Sequence, residues 1–368
     1  INLMNLNDGR HPIKHSDIFG ADGFFKIDED GKEIGKELLI RKSTGYISYI
    51  RGDNPYSFPF KIWPNMFVRE HSIKNIEYPM EQMNGIQVDI GIELLDIYTT
   101  RIGKYQERAY NHILAGHDIG QNVNMGYQVL EKPIQILNMA YPSLKLDQGV
   151  EFNDKELYGK AGLEKTMNIQ NIKEISYKKQ IIEKYGRFFS PEHIGKYSGK
   201  IKEICDNIKN SKGIILIYSL YIGGGCIPIA LALEEMGYAR YGGNSFFKDK
   251  PTEQKSGNYV MITGDNRISP NNAGEINVAT SDNNINGEVV KIIIISKAGS
   301  EGLDFKNIRQ IHILEPWYNT NRLEQIIGRG VRTCSHRHLP LNERNVEIYM
   351  YGTLLTSEKE AADLYVYR

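Results

Sequence analysis

Two short runs constrain this chain more than any other feature: Ile214-Ile215-Leu216-Ile217-Tyr218 and Ile292-Ile293-Ile294-Ile295. Neither alternates apolar with polar residues. A strand made from either must therefore be covered on both faces, as strands of a parallel sheet between helices are. From about Pro191 onward the rest of the sequence agrees, because helical and apolar-strand patterns alternate. Ser198-Gly199-Lys200-Ile201 opens a helix that runs to Ile208, and residues 228–236 read as another, stopped by Gly237. Strands follow at 259–262 and 310–314, then a helix over 322–331 and a closing strand over 346–351. Residues 265–287 form a long polar stretch rich in Asn, Asp and Gly.

Residues 1 to about 175 read as an irregular α/β region. Gly45-Tyr46-Ile47-Ser48-Tyr49-Ile50 alternates like a strand, and Asn54-Pro55, Phe58-Pro59 and Trp63-Pro64 mark turns. Helical spacing appears over 103–116 and 128–141. The charged stretch 173–184 reads as a solvated helix or linker. A boundary placed there divides the chain into residues 1–180 and 181–368.

Charge and cysteine usage exclude several classes. Lys+Arg 45 balances Asp+Glu 45, so any contact with a polyanion must come from local patches. Three widely spaced cysteines, Cys205, Cys226 and Cys334, with no C-x-x-C pair, fit reduced thiols in an intracellular protein. No run of about 18 apolar residues offers a membrane span, and the opening Ile1-Asn2-Leu3-Met4 lacks a signal-peptide pattern. A first residue of isoleucine suggests that the chain begins inside a longer polypeptide. Cys334, His336 and His338 lack the spacing and remaining partners of a zinc site, so no metal is expected.

The chemistry concentrates in Gln325-Ile326-Ile327-Gly328-Arg329-Gly330-Val331-Arg332. On a helix Gln325, Arg329 and Arg332 share one face, leaving Leu323, Ile326 and Val331 for the sheet. Asn321 is the expected N-cap, with Glu324 three residues on. Two glycines inside a helix cost roughly 1 kcal/mol each against alanine, which asks for a close neighbour. Paired guanidiniums suit the spread charge of a phosphoryl group in transfer, where such a finger is worth about 10³–10⁵ in rate. A lone G-R-x-x-R more often pairs with surface acids, so the neighbouring loop matters. Ser296-Lys297-Ala298-Gly299-Ser300-Glu301-Gly302-Leu303-Asp304 follows a buried strand at its carboxyl end, where ligands of open α/β sheets bind.

Taken in order, Ser198-Gly199-Lys200, residues 214–219, residues 296–304, Glu315-Pro316-Trp317 and residues 325–332 resemble the second RecA-like lobe of superfamily 2 helicases, nearest the SWI/SNF-type branch. The likeness covers about 190–355. Within that branch the chain resembles the helicase-like ATPases of large nucleocytoplasmic DNA viruses, the group of poxviral nucleoside triphosphatase I and the early transcription factor helicase subunit. Gly45 to Gly52 and Thr333-Cys334-Ser335-His336 carry the narrower likeness. The resemblance implies that Arg329 and Arg332 are arginine fingers for ATP held on another lobe, with Gln325 beside them. It places Gly302 and Asp304 at the nucleotide cleft, and Ser219, Ser296, Lys297, Ala298 and Gly299 on the nucleic-acid backbone. Trp317 is expected either between lobes or in the core.

A complete motor needs G-x-x-x-x-G-K-[ST] and an apolar strand ending in acids that hold Mg²⁺. Gly31-Lys32-Glu33-Ile34-Gly35-Lys36 has the wrong spacing, and Asp28-Glu29 follows a strand too short and polar. Both read as surface turns. The basic cluster Lys178, Lys179, Lys184 and Arg187 is diluted by Glu174 and Glu183 and reads as a solvated face. The expectation is an α/β chain whose first part, 1–180, bridges from a first lobe and whose second part is a RecA-like lobe. Alone it is expected to lack ATPase activity. Its expected partners are DNA or RNA, a first RecA-like lobe, and viral RNA polymerase or transcription factors. The expected setting is the virion or the viral factory in the host cytoplasm. The competing expectation is a transcription-factor subunit that uses a helicase fold as a docking platform.

Overall fold

The computed structural model describes all residues except 1–4, 6–10, 22, 30, 45–56, 117–124, 171–173, 250, 254 and 298–302. The strand-like reading of 45–50 lies outside the described residues. The chain divides into two compact units, Ile1–Gly52 and Asp53–Arg368.

In the first unit a helical turn, His15–Ile18, precedes a bridge between Phe19 and Phe25, whose rings stack 5.1 Å apart. The helix Ile34–Ser43 starts where Gly35 comes so near Ile18 that a Cβ would lie 1.9 Å from its carbonyl oxygen.

The second unit is built on a ten-stranded sheet. Its strands are β1 (Phe60–Ile62), β2 (Glu81–Gln82), β3 (Tyr98–Arg101), β6 (Ile214–Tyr218), β7 (Tyr238–Arg240), β8 (Gly257–Ile262), β9 (Ile292–Ile295), β10 (Ile308–Ile313), β11 (Asn345–Leu354) and β12 (Lys359–Glu360). A separate antiparallel pair joins β4 (Met167–Ile169) to β5 (Ile175–Tyr177). The main order is β2-β12-β11-β10-β6-β9-β8-β7, with β1 and β3 both on β11. Every pairing in it is parallel except β11 with β12.

The isoleucine runs occupy the centre as their composition requires. Ile215, Ile217, Ile292 and Ile294 face one layer, shared with α5 (Gly199–Lys209) and α6 (Ile227–Glu235). Leu216, Tyr218, Ile293 and Ile295 face the other, shared with α8 (Thr320–Gly330). Alternate residues of each run thus serve opposite cores. The polar stretch after β8 is less irregular than its composition suggests. Asn271 caps a helix there, α7 (Asn272–Ala279), whose Glu275 is buried against Arg240 at 3.1 Å.

Three further helices, α1 (Lys104–Ala115), α2 (Tyr127–Asn138) and α3 (Gly159–Thr166), precede this sheet core. With the terminal α9 (Ala362–Tyr367), α1 and α2 enclose a third cluster that includes Tyr110, Ile134, Leu137 and Ala362. The expected helix over 173–184 is shorter than the charge pattern suggests. Ile175–Tyr177 forms β5, and helix α4 (Lys179–Tyr185) begins only afterwards.

Candidate nucleotide and nucleic-acid face

The carboxyl ends of β6, β9 and β10 lie side by side, the position where open α/β sheets take ligands. Helix α8 begins two residues earlier than the sequence pattern suggests. Asn319, not Asn321, is its N-cap, and its side chain accepts a hydrogen bond from Asn321 N at 2.9 Å. Leu323, Ile326 and Val331 are buried as their spacing requires.

The two helix glycines have different surroundings. A Cβ on Gly330 would come within 3.0 Å of Ile311 and 3.2 Å of Ile308, so this glycine lets α8 cross β10 closely. Gly328 has nothing within 4 Å.

Arg329 and Arg332 converge. Arg332 Nη2 lies 2.8 Å from Asp304 Oδ1 and Arg329 Nη1 lies 3.9 Å from the same oxygen. Arg329 also donates to Leu303 O at 3.2 Å, and Arg332 Nε donates to Gly328 O at 3.2 Å. Asp304 is 61% exposed, so the two guanidiniums meet around a solvent-facing anion. Gln325 is exposed on the same helix. Arg332 lies just past the helix end, where Ser335 Oγ accepts its backbone N–H at 3.3 Å.

The other expected site residues are placed less uniformly. Ala298, Gly299 and Gly302 lie outside the described residues. Ser296 is buried at the end of β9, its N–H bonded to Ile262 O at 3.1 Å. Lys297 is exposed, with its ammonium 5.8 Å from the Trp317 ring centre. Trp317 itself is half-buried, stacked under Arg322 at 4.4 Å and edge-on to Tyr127 at 4.7 Å. Ser219 is fully buried, and its hydroxyl donates to Glu315 Oε2 at 3.0 Å rather than pointing to solvent.

Glu315 and Lys200 stand out only as parts of motifs in the sequence, yet both are buried ionisable groups at this end of the sheet. Burial raises the Glu315 carboxyl to about 7, against the Leu220 N–H and the Lys200 charge, which lower it. The signal available was a lysine in the first turn of α5 and a glutamate just past β10, each beside residues patterned for burial. The glycine run Gly223-Gly224-Gly225 is also explained by packing. A Cβ on Gly223 would meet Lys160 N at 2.8 Å, and one on Gly225 would meet Ser219 Oγ at 1.9 Å.

Cys334, His336 and His338 do not converge. His336 is buried between Ser335 Oγ at 2.8 Å and Ile308 O at 2.6 Å, and burial lowers its pKa to about 4. His338 is exposed and accepts from Arg337 Nε at 2.9 Å. Among the described residues no group of three or more His, Cys, Asp and Glu side chains could hold a metal ion. Among the same residues no helix is long and apolar enough to cross a membrane.

The geometry defines a class: a mostly parallel α/β lobe with paired arginines at the end of the helix that crosses its central strand β10. Residues 253–334 match the model of the helicase conserved C-terminal domain. Over 182 residues the chain is 35% identical to the termination factor NPH-I homolog of African swine fever virus, covering 42% of this chain and 26% of that protein. Over 158 residues it is 34% identical to an Acanthamoeba polyphaga mimivirus protein named as an ATP-dependent RNA helicase, covering 39% and 16%. A longer match, 26% over 317 residues, joins 86% of the chain to 44% of another mimivirus protein so named. Residues 253–334 carry a helicase conserved C-terminal domain, the chain is similar to viral proteins named as ATP-dependent helicases, and it spans less than half the length of each of these relatives.

Proposed function

We propose that this chain supplies the arginine-finger lobe of an ATP-driven nucleic-acid translocase that works in viral transcription. The observation that carries the reading is the convergence of Arg329 and Arg332 on the exposed Asp304 carboxylate, an anion in the place a phosphate would take. ATP with Mg²⁺ supplies the phosphoryl group whose transfer drives the cycle. Arg332 and Arg329 leave Asp304 to neutralise charge on that group, and Gln325 lines the same cleft. The lobe is centred on residues 181–368, and residues 1–180 lead to it from a first RecA-like lobe that holds the nucleotide, lending β1, β2 and β3 to its sheet. Gly302 and Asp304 border the nucleotide, while Ser219, Ser296, Lys297, Ala298 and Gly299 line the strand's path. DNA or RNA follows the carboxyl ends of β6 and β9, where Lys297 offers a charge beside the Trp317 ring.

ATP turnover by the longer protein, measured with and without single-stranded and duplex DNA and RNA, tests this. Nucleic acid should stimulate turnover, and R332A should lower it by about 10³-fold or more. Unstimulated turnover that R332A leaves intact would refute the motor.

A docking platform for viral RNA polymerase or transcription factors is the second reading, favoured by a different observation. A groove of 630 Å³ between the back of α8 and Trp63, Met66, Leu94 and Leu95 includes the exposed side chains of Met66 and Leu94. L94E separates the two readings, since it should spare stimulated turnover and weaken only a docked partner.

A further inference from the structure

Lys200, Glu315 and Asp363 are each at most 1% exposed at the carboxyl end of the sheet. Burying charges is costly even when they pair, and apolar residues of similar volume serve stability as well. Such a cluster therefore calls for a role beyond packing.

The contacts run in one connected line. Lys200 Nζ lies 2.8 Å from Asp363 Oδ2 and donates to Leu314 O at 2.9 Å and Asn138 Oδ1 at 3.4 Å. Asn138 Nδ2 donates to Glu315 Oε2 at 2.6 Å. The same Glu315 oxygen accepts from Ser219 Oγ at 3.0 Å, and its partner oxygen accepts from the Leu220 N–H. The line thus starts at α9, passes through α5 and α2, and ends on the turn that leaves β6. Beyond that turn, Gly223 sits against the Lys160 backbone, so the turn is held from both sides.

We propose that Glu315 is a positioning residue for the nucleic-acid grip: braced by Lys200 through Asn138, its carboxylate fixes the turn Ser219–Tyr221 in the shape that meets the phosphate backbone. This rests on the nucleic-acid reading above and changes one part of it. Ser219 acts by shaping the backbone of the turn, with its hydroxyl directed inward.

The proton pattern makes the proposal testable. E315Q puts an N–H where Ser219 Oγ–H and Asn138 Nδ2–H both point. Ser219 can redirect its proton to Tyr221 O, 3.3 Å away, but Asn138 must flip and give up Lys200. Protonation of Glu315 removes the charge from these bonds and turns the Ser219 proton toward Tyr221 O, and burial brings that titration to about 7. The groups that face the carboxyl are Lys200 from α5, Asn138 and Tyr127 from α2, Tyr218, Ser219, Tyr221 and Cys226 from β6 and its turn, and Tyr367 from α9, with Asp363 behind Lys200.

The test uses the whole chain, as wild type and E315Q, at pH 6, 7 and 8. Amide hydrogen exchange over 219–226 is measured beside the affinity for fluorescein-labelled DNA and RNA strands. In the wild type, turn exchange corrected for intrinsic rates should be about 10-fold slower at pH 8 than at pH 6, the loss expected for one charge-assisted hydrogen bond. Affinity should rise in parallel, and E315Q should show the fast, weak state at every pH. N138A, which leaves the carboxyl in place but removes one donor to it and the link to Lys200, should shift both readouts the same way and stands in if E315Q does not fold. Wild-type protection of the turn in E315Q, or a wild-type pH profile of binding, would overturn the proposal. Lost protection with no binding by either protein would overturn the grip and the nucleic-acid reading together.

Discussion

Replacing Lys200 by methionine keeps most of the side-chain volume and removes only the charge and its donors. Breaking a buried ion pair costs about 3–5 kcal/mol because the remaining charge is stranded. Here Asp363 keeps Thr353 Oγ1 at 2.7 Å, Thr353 N at 3.2 Å and Leu364 N at 2.8 Å as donors, which softens the loss. Leu314 O and Asn138 Oδ1 lose a partner. The expected cost of K200M is therefore near the lower end, about 3 kcal/mol in the unfolding free energy extrapolated from urea titration. K200M/D363N removes both charges and should recover at least 1 kcal/mol of it, a coupling read from the double-mutant cycle. A K200M protein within 1 kcal/mol of wild type, or strictly additive single changes, would refute the claim that these charges are paired in a dry interior.

Three other perturbations are equally specific. G328A should stabilise the chain by roughly 0.5–1 kcal/mol through helix propensity, whereas G330A should destabilise it because Ile308 and Ile311 must give way; thermal melts that rank them in the opposite order would contradict the crossing of α8 over β10. Burial keeps His336 neutral down to about pH 4, while an unfolded histidine protonates near 6.5, so its stabilising contribution is complete above 6.5 and is lost as pH falls toward 4. Between pH 6.5 and 4.5, H336Q should therefore lose less stability than wild type, by on the order of 2–3 kcal/mol in urea titrations, and equal losses would show that His336 is not the titrating group. A chain beginning at residue 181 keeps the family-matched segment but lacks β1 and β3, which leaves the β11 edge open. It should self-associate in size-exclusion chromatography with light scattering, and a monodisperse folded monomer would disprove the need for those strands.

The central sheet was legible because burial on both faces leaves a plain trace. Ile214–Tyr218 and Ile292–Ile295 are strands at the bounds the apolar runs set. Helix α8 was legible through its stripe of Leu323, Ile326 and Val331, although its cap was misplaced because Asn319 and Asn321 are equally good capping residues. Strands β1 to β3 were not legible. They are two to four residues long and owe their pairing to β11 and β12, which lie more than 240 residues later in the chain. Helix α7 was hidden by composition, since its Asn and Gly residues favour turns and tertiary contacts such as Glu275 with Arg240 decide the outcome. The meeting of Arg329, Arg332 and Asp304 could be anticipated in part, because motif order put them in one cleft. The line from Asp363 to Ser219 could not, because it joins residues from five separate segments whose proximity only the fold reveals.

The pairing of β11 with β1 and β3 also bears on how the chain is made. Phe60 pairs with Asn345 and Tyr98 with Tyr351, closures of 285 and 253 residues by subtraction. On the ribosome the strands near residues 60 and 100 emerge long before their partner exists, and the non-local contacts that close this side of the sheet are among the last that can form. The nascent chain therefore carries unpaired strand edges through most of its synthesis. Where translation pauses, and whether a chaperone covers those edges, should govern the yield of active protein as strongly as its final stability.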